Sequence, residues 1–205
     1  MTTVTDASRR LVVTEAMYLA MERAAVVKHE LRDGEMWAMA GASPRHNRLA
    51  SRCIADLDAA LRGKPCVPLG SDQRVQVPAT GSYCYPDVTV LCGEAQYHHE
   101  DADSIINPRV IVEVLSRTTQ KDDRGAKFEE YRSIQCFDEY VLIWQDRVKV
   151  EVRRRESPKR WAIDEHGAGE IVELRSIGVR LDIDALYEGA FALRGDDPDL
   201  PRQGT

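Results

Sequence analysis

The sequence predicts an α/β (α+β) fold with a mixed central sheet flanked by helices. Two apolar, β-branched runs of strand length, at residues 87–91 and 109–115, supply the sheet. A well-punctuated amphipathic helix precedes them, and a second helical stretch follows at residues 121–134. Strands interleaved with helices in this order suit one layered α/β core, and 205 residues suffice for one such domain.

The elements can be justified in turn. Thr14 and Glu15 open a short helix reaching Ala25. Residues 28–40 read as a hairpin, because Asp33-Gly34 supplies the positive φ angles of a tight turn. Ser43 is a good N-cap and Pro44 suits the first helical position. Leu49, Cys53, Leu57 and Leu61 then recur at four-residue steps until Gly63 closes the run. Short strands are expected at 66–69 and 74–77, ended by Pro78 and Gly81, and a polar loop at 93–108. After the second helix, residues 140–144 and 148–152 form a hairpin across Gln145-Asp146-Arg147, with further strands at 161–163 and 171–174. A domain over residues 1–194 and a flexible tail over 195–205, rich in Asp and Pro, complete the organisation.

Bulk composition narrows the function. Hydrophobic residues at 43% and charged residues at 30% fit a soluble globular chain, and no apolar run approaches the roughly 20 residues of a membrane span. The N-terminus lacks the long apolar core of a signal peptide, so a cytoplasmic location is expected. The five cysteines form no C-x-x-C pair and read as small core hydrophobes rather than zinc ligands. A net charge of −6 sits awkwardly with nucleic acid, whose phosphates are met by Lys and Arg. Arg153, Arg154 and Arg155 with Lys159 and Arg160 form either a basic contact face or a solvated hairpin turn.

Three residues carry chemistry. Glu113 interrupts a strand that otherwise reads as buried on both faces, where a carboxylate is costly unless paired, protonated or metal-bound. A structural ion pair is the plain alternative. Asp87 opens the preceding strand, 26 residues earlier, and an antiparallel pairing would bring it beside Glu113. Two hard oxygen ligands with open positions suit Mg²⁺ or Mn²⁺ rather than zinc. Lys127 shares a helix side with Tyr131 and Ile134, where it reaches the acidic pair, or pairs with Asp123 four residues away, or both.

Five segments then resemble the Uma2 family, a branch of the restriction-endonuclease-like PD-(D/E)xK superfamily. They are Glu30-Leu-Arg-Asp-Gly-Glu35, Ser43-Pro-Arg-His46-Asn47, Tyr85-Pro-Asp87-Val, Val112-Glu113-Val-Leu-Ser116 and Asp123-Arg-Gly-Ala-Lys127-Phe-x-x-Tyr131, spread between Thr14 and Tyr187. The resemblance implies a restriction-endonuclease-like core whose three-stranded meander holds a metal. Asp87 would be the PD aspartate, Glu113 the acidic member of (D/E)xK, and the backbone carbonyl of Val114 a further Mg²⁺ or Mn²⁺ ligand. Leu115 stands where the superfamily places its lysine, and Lys127 is the implied substitute. His46 and Glu30 match family motifs and would line the cleft, although a lone His is more often a capping or core residue. The implied activity is metal-dependent cleavage of DNA phosphodiester bonds. A catalytically inactive nuclease-fold module for nucleic-acid or protein binding, or a small-molecule phosphodiesterase, is the alternative. Antiparallel edges leave a homodimer open.

Overall fold

The computed structural model describes residues 12–117 and 119–196. In chain order the elements are α1 (Glu15–Ala24), the hairpin β1 (His29–Arg32) and β2 (Glu35–Ala38), α2 (Pro44–Leu61), β3 (Cys66–Gly70), β4 (Arg74–Val77) and β5 (Ser82–Cys84). Then come β6 (Val88–Cys92), β7 (Tyr97–His98), β8 (Asp101–Ile105), β9 (Pro108–Leu115), α3 (Gln120–Arg124) and α4 (Ala126–Tyr131). The chain continues through β10 (Glu139–Trp144), β11 (Val150–Ser157), β12 (Arg160–His166), β13 (Ile171–Leu174), β14 (Val179–Asp182) and α5 (Ile183–Tyr187).

Local chemistry explains the ends of these elements. The Asp33-Gly34 turn has φ of 51° and 72°, as the hairpin requires. Ser43 caps α2 by accepting from the His46 N–H at 3.1 Å, which fixes the first turn of the helix that later supplies His46 to the site.

The main sheet runs β12-β11-β10-β9-β6-β3, with β9 and β10 parallel and every other pair antiparallel. The segment joining β9 to β10 carries α3 and α4, the helical crossover that a parallel pair needs. Alternation along β9 divides the core. Val110, Val112 and Val114 pack with Leu49, Cys53, Leu57 and Leu61 of α2 and with the β13–β14 hairpin. Ile111 and Leu115 pack on the other face with Phe128, Tyr131, Ile134, Phe137 and Tyr140. Helices therefore cover both faces of β9, which accounts for its nearly unbroken apolar sequence.

Several expectations need correction. The loop at 93–108 contains β7 and β8, which join β4 in a second sheet ordered β2-β1-β5-β4-β8-β7. The polar residues that made it look like a loop are satisfied in pairs: Arg74, 6% exposed, donates to Asp101 Oδ2 at 2.6 Å and to Ser104 Oγ at 2.7 Å. The helix expected over 121–134 is broken at Gly125, where an added Cβ would lie 3.0 Å from the Lys121 carbonyl oxygen. Cys66 and Cys92 are not separate thiols. They face each other across β3 and β6 and are joined by a disulfide.

The basic run divides: Lys159 and Arg160 lie at the solvated turn between β11 and β12, whereas the three arginines before it turn inward. Arg153 Nε donates to Glu151 Oε1 at 2.7 Å, and Arg154 Nε donates to the fully buried Glu139 at 3.0 Å. Arg155 donates to the backbone carbonyls of Phe137, Arg132 and Ile134, closing the end of α4 onto the sheet. Of the segment beyond residue 194, the Asp196 carboxylate accepts from Gln145 Nε2 at 2.6 Å, while residues 197–205 of the expected tail lie outside the described residues. Among the described residues no helix is long and apolar enough to cross a membrane.

Two outcomes test this packing. Arg154→Ala leaves Glu139 with only the Arg175 and Ser176 donors and lowers stability by about 2–3 kcal/mol, seen as a lower urea midpoint at unchanged slope. An unchanged midpoint would place Arg154 outside the core network. Reducing the Cys66–Cys92 bridge, which closes a sequence separation of 26, lowers stability by about 3 kcal/mol, and non-reducing peptide mapping recovers the two peptides linked.

Candidate active site

The two carboxylates singled out in the sequence meet where β6 begins and β9 nears its end. The register pairs Val88 with Val112, so the next positions outward are Asp87 and Glu113. They are laced to each other's strand: the Val114 N–H donates to Asp87 Oδ2 at 2.7 Å, and the Asp87 N–H donates to Glu113 Oε2 at 3.3 Å. Because N–H and C=O of one extended residue point to the same side, the Val114 carbonyl also lies on the Asp87 side of β9, past the last paired residue of β6.

Glu113 shares the face of Ile111 and Leu115 and is 4% exposed. Among the described residues its contacts are all long: Asp87 N at 3.3 Å, Tyr131 Oη at 3.4 Å and Lys127 Nζ at 3.5 Å. A carboxylate at this depth usually accepts shorter and stronger bonds. Burial pushes its pKa well above the ordinary range, with Lys127 opposing and Asp123, Asp87 and Glu30 adding to the rise.

Lys127 enters from α4. Its ammonium stands 3.1 Å from Glu30 Oε1, 3.4 Å from Asp123 Oδ1 and 3.5 Å from Glu113 Oε1. Thus both roles open in the sequence, partner of Asp123 and neighbour of the acidic pair, are occupied together. Burial pulls the ammonium toward neutrality, but Glu113, Glu30 and Asp123 outweigh it and hold its pKa well above that of a free lysine. Leu115, where the superfamily pattern has lysine, is 2% exposed and packs with Phe128 and Tyr131.

The other two family-implied residues also reach this cluster. Glu30, on β1, accepts from the Tyr85 N–H at 3.1 Å with the oxygen that meets Lys127, so the first hairpin steadies the Tyr85-Pro86-Asp87 segment. His46, in the first turn of α2, lies with Nε2 2.9 Å from Asp87 Oδ1. Burial lowers its pKa, and the bond to Asp87 with the nearby carboxylates more than compensates. Asp123 is buried, and desolvation lifts its pKa despite Lys127.

By its sequence Gln145 is a turn residue after a strand, with no mark of a site. It is 3% exposed, accepts from Ser43 Oγ at 2.7 Å and donates to the Leu115 carbonyl at 3.1 Å. A chain of contacts therefore runs from the end of β9 through Gln145, Ser43 and the first turn of α2 to His46 and Asp87. Only the apolar strand before Gln145 hinted that it is inside, since a polar residue at a buried strand end is satisfied by its neighbours.

The charge balance defines what the cluster can do. Glu30, Asp87, Glu113 and Asp123 face one lysine and one histidine. Among the described residues no three His, Cys, Asp or Glu side chains form a ready metal cage. A hard divalent ion would depend on the two carboxylates, a backbone carbonyl and water, the sparse set that Mg²⁺ accepts. Each carboxylate oxygen keeps a second lone pair after its present bonds. The donor set fits.

Comparison with known proteins speaks to family and fold. The family model Uma2, described as "Putative restriction endonuclease", matches residues 16–184. Two uncharacterized proteins of Synechocystis sp. are similar: one is 32% identical over 172 residues, covering 84% of this chain and 90% of its own length, the other 34% identical over 154 residues, covering 75% and 87%. Among solved structures, a crystal structure titled as "a putative nuclease belonging to DUF820" from Anabaena variabilis superposes with a TM-score of 0.71 at 16% identity, covering 87% of this chain and 99% of that one. At that identity the likeness speaks for the fold alone. With the family model spanning most of the chain and relatives above 30% identity over most of its length, the chain belongs to the Uma2 family.

Proposed function

We propose that this protein is a metal-dependent phosphodiesterase of the nuclease type, acting on DNA, with Asp87, Glu113 and the Val114 carbonyl as the ligands of Mg²⁺ or Mn²⁺. One observation carries the reading: Glu113 is a nearly fully buried carboxylate whose contacts are all long, cross-laced to a second carboxylate at the open end of β6. A structural ion pair would close on its partner, whereas Lys127 stands nearer to Glu30 than to Glu113. Membership of a family described in terms of restriction endonucleases supports the same reading.

When bound, such an ion supplies Lewis acidity toward a phosphoryl oxygen and an acidified water as nucleophile. The chain's own residues do the rest. Asp87 is held in one rotamer by His46 on one oxygen and the Val114 N–H on the other. The Tyr131 hydroxyl and Lys127 fix Glu113. Lys127 keeps its proton and places a positive charge where negative charge develops on a phosphodiester, the task the strand lysine performs in the superfamily pattern. It reaches this place from a helix, so Leu115 is free to pack in the core.

The parent protein nicks supercoiled plasmid with Mg²⁺ or Mn²⁺, and Asp87→Ala and Glu113→Ala reduce this by about 10²-fold or more. Cleavage that persists equally in both variants overturns the assignment. A second test separates binding from chemistry. Glu113→Gln removes one of the excess buried charges while Lys127 keeps Glu30 and Asp123, so the metal-free variant is as stable as the parent or more so. It nevertheless loses the thermal stabilisation that Mn²⁺ confers on the parent, about 2.7 kcal/mol at a hundredfold excess over Kd. Equal Mn²⁺ stabilisation of both proteins would remove Glu113 from the ligand set.

A further inference from the structure

The structure takes three arginines out of the stretch that reads as a basic contact face. Arg153, Arg154 and Arg155 are committed to Glu151, Glu139, Asp164 and backbone carbonyls. What remains of that stretch is Lys159 and Arg160 at an exposed turn, Arg160 paired with Glu156, a short basic surface on a chain of net charge −6.

A groove of about 640 Å³ opens directly beside Asp87 and His46, between α2 and the turn from β3 to β4. None of its lining residues is Lys or Arg. Ile54, Leu69 and the bare backbone of Gly70 give it apolar surface, while Asn47, Ser51 and Gln73 offer amide and hydroxyl groups. Lys28 comes close, but it is paired with Asp72 at 2.7 Å and stands over the Tyr85 ring. A phosphate would find two carboxylates here, Asp72 and Asp87, and no Lys or Arg lining the groove, with His46 already bonded to Asp87. A nucleobase is the opposite kind of ligand: neutral, flat, apolar on its faces and polar at its edges. That is the chemistry the groove displays.

We infer that this groove receives an unpaired nucleobase next to the diester held at Asp87 and Glu113, so that the preferred substrate is single-stranded or frayed nucleic acid. The inference rests on the phosphodiesterase reading above and goes beyond it by naming the substrate class. A base inside a duplex has its faces stacked and its pairing edge engaged, and entering the groove would require unstacking it at a cost of a few kcal/mol. Few phosphate contacts also imply a weak dependence of affinity on salt.

The test measures fluorescence anisotropy of a labelled oligothymidylate and of a labelled DNA duplex on the full chain, with Ca²⁺ present to hold back cleavage and again with EDTA. Ser51→Trp fills the groove from an exposed helix position, and Ala59→Trp places the same side chain at an exposed position of α2 outside it. Calorimetry with Mn²⁺ and a thermal melt accompany each variant. The single strand binds the parent at least about tenfold more tightly than the duplex, and Ser51→Trp weakens it by about tenfold while Ala59→Trp does not. The salt dependence corresponds to about one or two phosphates. Mn²⁺ affinity and melting stay at parent values in both variants. The inference is overturned if the duplex binds as tightly as the single strand, or if no single-strand binding is measurable. It is equally overturned if Ser51→Trp, folded and binding Mn²⁺, holds the strand as the parent does, or if the salt slope demands about six phosphates or more. Failure of the parent to bind Mn²⁺, with strand binding still blocked by Ser51→Trp, would sink the metal assignment and leave the base groove standing.

Discussion

A carboxylate buried in the central strand of a sheet is the constraint around which the rest is arranged. Glu113 lies on a strand covered by helices on both faces, at 4% exposure. Left alone, an ionised group there would shift its pKa or oppose folding. The surrounding structure answers with an ammonium from α4, a hydroxyl from Tyr131 and a backbone N–H from the next strand, none of them closer than 3.3 Å. The solution is deliberately incomplete in charge: four carboxylates remain against one lysine and one histidine. Perturbed, densely packed charge of this kind concentrates where proteins act.

The same logic explains why distant segments converge. Glu30 comes from the first hairpin, His46 from the capped start of α2, and Lys127 from the crossover between β9 and β10. Gln145 ties the end of β9 to the N-cap of α2, so the helix that carries His46 is referenced to the strand that carries Glu113. The second sheet has its own buried polar network, in which Arg74 joins Asp101, Ser104 and Tyr85. Arg74, Lys127 and Arg153 stabilise the interior, and the groove beside Asp87 is lined by no Lys or Arg.

Much of this was legible in the sequence because it depends on local rules. The Asp33-Gly34 turn, the Ser43-Pro44 start of α2, its four-residue apolar spacing and the antiparallel meeting of Asp87 and Glu113 follow from dihedral preference, capping and strand register. The parts that were not legible depend on partners far away in the chain. Arg153 to Arg155 look solvated until Glu151, Glu139 and the carbonyls at the end of α4 are seen to receive them. Strand β8 looks like a loop because Asp101 and Ser104 are matched by Arg74, some 30 positions earlier. Gln145 gives no periodic signal, since its bonds to Ser43 and Leu115 span the fold. Cys66 and Cys92 became a pair only through the register of β3 on β6.

The break at Gly125 has a consequence for how such a site can be altered. With the ammonium on α4 and the acidic pair on two strands, the cation and the carboxylates are inherited on separate structural modules. A change in the short kinked segment around Gly125 can retune the reach of Lys127 without disturbing the register that holds Asp87 to Val114. Position 115 carries no charge and is held by packing with Phe128 and Tyr131. The ammonium and the acidic pair can therefore be perturbed one at a time, the first through the kink and the second through the strand register.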